Sequence, residues 1–225
     1  MNNSNRLLAY ALCFTTMFIL NWICKQNKSN RLFNSEGILT TNGGYLVALH
    51  FAGIFWFALV PIALSKYSLK TFLLGSGYPN FFWSLSVVLL LLIIVITSSR
   101  ESSKIHIKQE NIHMPSNKFF SYYFTVRILF LCAYELFFRG FLLFDCIKWF
   151  GILPAIMLST SLTILIHVFT NKKEMWGCVP FGIILCSCCI ALNAVWPAIV
   201  LHLALSMAYE IPPAYQFINQ LKLSK

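Results

Sequence analysis

Apolar runs close to the length of a membrane crossing recur along the chain, and each ends in polar or basic residues. At 1.5 Å per residue a helix needs about 20 apolar residues to cross ~30 Å of hydrocarbon. The pattern predicts helices over about 7–24, 44–64 and 81–97, then one from 119 into the Glu135–Arg139 stretch, and others over 152–169, 179–192 and 195–209. Runs such as SVVLLLLIIVI do not alternate, which sets aside a membrane β-barrel. The expected fold class is all-α: a multi-pass helical membrane protein with about seven spans (roughly six to eight, depending on whether the fourth segment breaks around Arg139–Asp145). The first segment is followed by no A-x-A site and reads as a retained span rather than a signal peptide. Pro61 marks a kink or stop, while Pro180 and Pro197 fall near expected helix starts, where proline is tolerated.

The longest polar stretch, SSRESSKIHIKQENIHMPSNK at 98–118, divides the chain. Residues 1–118 form N-terminal helices and this connector, and 119–225 form core helices with a short C-terminal tail. His106 and His113 lie among the connector's charges and read as solvated. Composition agrees with the pattern: 58% of residues are hydrophobic, 11% are charged and mean hydropathy is +0.72. The net charge of +10 sits mostly in connectors, which is how topology-setting charges are distributed, and argues against a nucleic-acid partner. Counting basic residues by side places the long connector and the C-terminus in the cytoplasm and the N-terminus outside. Cys13, Cys132, Cys186, Cys188 and Cys189 lie inside apolar runs, as expected of small packing hydrophobes. The C-x-C-C run at 186–189 has no histidine or carboxylate at ligand spacing in its own segment.

Candidate chemistry is confined to the second half. Glu135 and Arg139, four residues apart in an aromatic apolar run, share a helix face within ion-pair reach. An unpaired charge at mid-membrane costs roughly 2.5–3.5 kcal/mol on insertion scales, so the pair has a structural or a chemical use. Arg127, about 80° round the helix from Glu135, either supports the same pocket or snorkels to an interface, with the second expected. His50 reads as a satisfied interfacial histidine. His167 lies deep in TILIHVFTNKKE, with Glu174 just past the expected helix end. His202 and Ser206 share a stripe of the last helix, with Glu210 beyond them. Glutamate plus histidine is the minimum set for activating water or holding a divalent metal. Ionisable groups on separate spans point to a shared pocket.

The order and spacing of these residues resemble the CAAX-protease and bacteriocin-processing (CPBP, or Abi) family of intramembrane proteases, whose motifs are EExxxRG, FxxxH and HxxxN or HxxxD. YELFFRGFL at 134–142 is similar to the first, TILIH at 163–167 to the second and HLALS at 202–206 to the third. The resemblance covers about 119–210 and implies a bacterial-type cell membrane as the setting. It implies that His167 activates water together with a glutamate and that His202 stabilises the oxyanion, while Glu135 and Arg139 match the second glutamate and the arginine. This chain departs from the pattern at three places. Tyr134 stands where the first glutamate belongs, Thr163 replaces the phenylalanine and Ser206 replaces Asn or Asp. Glu135 is no simple substitute for that glutamate, because neighbouring helical side chains point about 100° apart.

Two functions follow as expectations. The first is an intramembrane endopeptidase acting on a membrane-associated peptide or protein within the lipid bilayer. Glu135 or Glu174 would assist His167, and His202 with Ser206 would stabilise the oxyanion. Pairing to Arg139 occupies Glu135 and makes Glu174 its rival. No cofactor is certain; a divalent metal on His167, His202 and Glu135 is an option that no HExxH-type signature supports. The alternative is a catalytically degenerate member that binds a peptide as an immunity or accessory membrane protein. A small transporter ranks below both, since paired broken helices in two halves are not evident.

Overall fold

The structure is a computed structural model that describes residues 3–27, 32–33, 39, 43–65, 69–75, 80–103, 117–170 and 172–223. The described residues form helices α1 (Asn3–Gln26), α2 (Gly43–Leu64), α3 (Leu69–Leu74), α4 (Phe81–Ser102), α5 (117–150), α6 (Ile152–His167), α7 (Lys172–Leu192) and α8 (Trp196–Leu223). Two helices contain a π-turn, Phe55–Leu59 in α2 and Leu136–Leu142 in α5. The protein is an all-α membrane protein. Helices α1, α2, α4 and α7 are long and apolar enough to cross a bilayer, and α6 is a shorter apolar helix. Helices α5 and α8 carry the buried charge.

Several boundaries differ from those the hydropathy pattern predicts. The fourth segment does not break between Arg139 and Asp145. It continues to Phe150 through its π-turn and stops at Gly151, whose φ of 88° suits only glycine at low cost. Helix α7 begins at Lys172, so Pro180 lies inside it rather than near its start. Helix α8 runs past Pro212 and Pro213. Asn193, at φ 48°, makes the left-handed turn between α7 and α8, where the Ala194 amide donates to the Cys189 carbonyl. The connector histidines His106 and His113 lie outside the described residues.

Aromatic rings fill the centre. Phe57 of α2 stacks on Phe137 at 4.7 Å and meets Phe138 edge-on, while Tyr10 and Phe14 of α1 meet Phe137 and Phe138 edge-on. Gly140 lets α3 approach, because a Cβ there would lie 2.7 Å from the Phe72 ring. Helix α1 is fastened at both ends. Near its start Arg6 Nη1 lies 3.0 Å from Asp145 Oδ2, and the Tyr10 hydroxyl donates to the same oxygen at 2.8 Å. Near its end Lys25 Nζ donates to the Phe169 carbonyl at 2.7 Å, just past the last turn of α6. Asp145 is buried, so Asp145→Ala strips Tyr10 and Arg6 of a shared acceptor. The expected loss is about 1–3 kcal/mol, kept low because Arg6 remains 20% exposed. Thermal unfolding in detergent reads it, and Asp145→Asn, which keeps an acceptor, loses less.

Candidate active site

The π-turn of α5 builds the floor of the site. An added residue in a helical turn breaks the regular backbone pairing and re-aims the side chains beyond it. The Phe138 carbonyl in this turn accepts a hydrogen bond from Ser159 Oγ of α6 at 2.9 Å. Arg139, one residue on, is enclosed by α5, α6 and α7. Its Nη1 donates to Thr163 Oγ1 at 3.0 Å, and Thr163 Oγ1 donates in turn to the Ser159 carbonyl at 2.8 Å. Gly182 of α7 makes room, since a Cβ there would sit 3.2 Å from Arg139 Nη2.

Glu135, one turn before Arg139, is 0% exposed. Its Oε2 faces Arg139 Nε at 3.4 Å, an ion pair without a well-formed hydrogen bond. Its Oε1 accepts a hydrogen bond from Nδ1 of His202 on α8. The carboxylate thus has an arginine on one oxygen and an imidazole on the other. His167, at the last turn of α6, donates from Nδ1 to the Thr163 carbonyl at 2.9 Å, which leaves Nε2 as the acceptor in its neutral form. His202 lies within electrostatic reach of His167. The Tyr134 ring joins them, meeting His167 edge-on at 6.3 Å and His202 edge-on at 5.5 Å. The buried Tyr134 hydroxyl has no well-formed hydrogen bond and only weak reach to Thr163.

A second polar cluster lies beside the first, centred on Arg127. Its guanidinium pairs with Glu210 at 2.9 Å and donates to Ser206 Oγ and to His50 Nε2, each at 3.2 Å. The Tyr123 hydroxyl donates to Glu210 Oε2 at 2.7 Å, and Ser206 Oγ donates to Glu210 Oε1 at 3.1 Å. Arg127 therefore turns inward rather than to an interface, because a carboxylate and two acceptors await it there. His50 is 2% exposed, and its Nε2 faces Arg127. Ser206 is placed with Arg127 and Glu210, and its single proton is committed there. Glu174, half-buried in the first turn of α7, lies within electrostatic reach of Arg127.

Sequence reasoning left Tyr123, Arg127 and Glu210 out of the site. The signal that marks them is the same i, i+4 spacing that marked Glu135 and Arg139, repeated in Tyr123–Arg127 and Ser206–Glu210. A divalent metal does not fit the residues present. One oxygen of Glu135 is turned to His202 Nδ1 and the other to the Arg139 cation, which would repel a second positive charge. Among the described residues no group of His, Cys, Asp or Glu is arranged to hold a metal ion. The cysteines are free thiols, with Cys186, Cys188 and Cys189 buried among apolar neighbours.

The family model that matches this chain is Type II CAAX prenyl endopeptidase Rce1-like, over residues 112–208. No curated protein and no solved structure matches the chain. The matched stretch contains Glu135, Arg139, His167, His202 and Ser206 and stops short of Glu210. Residues 112–208, which carry the buried Glu135 together with His167 and His202, are therefore similar to the Rce1-like family.

Proposed function

We propose that the protein is a CAAX-type intramembrane endopeptidase that hydrolyses a peptide bond of a membrane-associated peptide or protein by an activated water. The observation that carries this reading is the part-buried hydrogen bond between His202 Nδ1 and the buried Glu135 carboxylate, beside a second histidine whose Nε2 is unengaged by its own helix. A carboxylate at Nδ1 orients an imidazole and stabilises the imidazolium that forms when Nε2 takes a proton. The base is then His202 backed by Glu135, and His167 Nε2 accepts the water's other hydrogen and holds it in line. The water oxygen attacks the carbonyl carbon while its proton passes to His202 Nε2. The tetrahedral intermediate collapses, the C–N bond breaks and the leaving amine takes the proton back from His202. Arg139 keeps Glu135 in place, and Glu174, near Arg127, stands on the rim where it orders substrate rather than water.

In this reading residues 119–225 are the catalytic core, carried by the helices of 1–118, and the setting is a bacterial-type cell membrane. Glu135, His167 and His202 all fall within 119–225, which supports the division. A second reading rests on Tyr134: without the glutamate of the first motif, the segment binds peptide and does not cut it, as an immunity or accessory protein would. Detergent-purified protein incubated with a library of plain and prenylated peptides separates the two. The expected result is cleavage that His167→Ala reduces about 100-fold or more with the melting temperature held. Binding without cleavage by the unmutated protein supports the second reading.

A further inference from the structure

We propose that the Tyr134 hydroxyl is the oxyanion donor of this site, so that the residue standing in place of a glutamate is catalytic in its own right. This rests on the endopeptidase reading above and assigns the one component that the two histidines and Glu135 leave unfilled. Hydrolysis places negative charge on the carbonyl oxygen, and a donor prearranged for that charge accounts for a large share of the acceleration.

Ser206 occupies the place where a donor is expected, one turn beyond His202, but its proton goes to Glu210 at 3.1 Å and its lone pair takes Arg127 at 3.2 Å. His202 Nδ1 is spent on Glu135 and His167 Nδ1 on Thr163. Arg139 is turned to Glu135 and Thr163, enclosed between α5, α6 and α7. Among the described residues that touch both histidine rings, Tyr134 brings a buried hydroxyl without a well-formed hydrogen bond. A buried O–H left in that state has lost its water without a full replacement, a cost recovered when an oxyanion accepts from it. The ring itself is held by Phe138 at 4.5 Å, Phe57 at 5.9 Å and Phe130 at 6.0 Å, so packing fixes the hydroxyl, with Thr163 a polar neighbour in reach. No proton is transferred in this role: the carbonyl π pair moves to oxygen, the Tyr134 hydrogen bond strengthens, and it weakens again when the C–N bond breaks.

The test is Tyr134→Phe, which keeps the ring and deletes the oxygen. The expected result is a kcat lower by about 100-fold with KM within a few-fold and the melting temperature held or raised. A peptide phosphinate inhibitor, whose P–O oxygens imitate the tetrahedral intermediate, is expected to lose affinity by a similar factor, a change that a packing role would not produce. Unchanged kcat and phosphinate affinity in Tyr134→Phe, with cleavage lost in His167→Ala, overturns the Tyr134 assignment and leaves the endopeptidase reading intact. No cleavage by the unmutated protein overturns both.

Discussion

Glu135→Gln is expected to lower kcat by about 1,000-fold or more, the largest activity effect in the molecule. An amide has the same shape and still offers an oxygen to His202 Nδ1, but it brings no charge to balance an imidazolium. It also presents two N–H groups to an already cationic Arg139, 3.4 Å away, so a loss of stability accompanies the loss of activity. The two effects separate by measurement. Thermal unfolding in detergent reports the first, and single-turnover cleavage at a temperature well below the midpoint reports the second. Glu135→Asp retains charge and is expected to recover stability while recovering little activity, because a shorter side chain withdraws the oxygen from His202. Activity in Glu135→Gln within ten-fold of the unmutated protein would sink the role of Glu135 behind His202 and leave Glu174 as the carboxylate that assists. Glu174→Gln is expected to change KM more than kcat.

The spans were legible because crossing a bilayer forces long apolar runs. Both ends of α2 and the start of α4 follow the hydropathy closely, while α1 starts earlier and α4 ends later than the apolar run alone predicts. The boundaries that moved did so for local reasons. Lys172, Lys173 and Glu174 look like connector, yet polar residues are at home in the first turn of a helix that begins at the membrane face. The π-turn of α5 has no composition signal that distinguishes it from a break. The Glu135–Arg139 pair was legible from a spacing of four on one helix. The bond from Glu135 to His202 was not, since 67 residues separate the partners and only packing of α5 on α8 brings them together. The same holds for Arg127, whose partners come from α2 and α8.

The two clusters put the buried ionisable groups of the site mainly on α5 and α8. Each contributes to both: Glu135 and Arg127 from α5, His202 and Ser206 with Glu210 from α8. A polar seam of this kind is tolerated in lipid only when it is enclosed, and the long, mainly apolar helices α1, α2, α4 and α7 supply much of the enclosure. Lys25, fastened to the carbonyl two residues beyond His167, links that outer shell to the turn that ends α6. Chemistry and scaffold are therefore coupled both at helix ends, through Lys25, and mid-helix, where Phe14 and Phe57 pack on the π-turn of α5.

That coupling sets the second large effect, on stability. Arg139→Met is expected to destabilise the protein by about 3–5 kcal/mol, because a buried carboxylate loses its counter-charge and keeps only an imidazole partner. Arg139 is among the largest fully buried side chains, so the loss includes volume that methionine fills only in part. The bond to Thr163 goes as well, although Thr163 Oγ1 still donates to the Ser159 carbonyl and is not left without a partner. Glu135→Leu combined with Arg139→Met removes both charges and restores an apolar seam between α5, α6 and α7. The pair is expected to recover most of the stability, since a buried ion pair replaced by packed hydrophobes costs little or nothing. It recovers no cleavage. A double-mutant cycle of denaturant unfolding in detergent measures this coupling directly. Additive losses in the cycle would mean that the guanidinium is held by Thr163 and packing alone, and that the 3.4 Å contact with Glu135 contributes nothing to the fold.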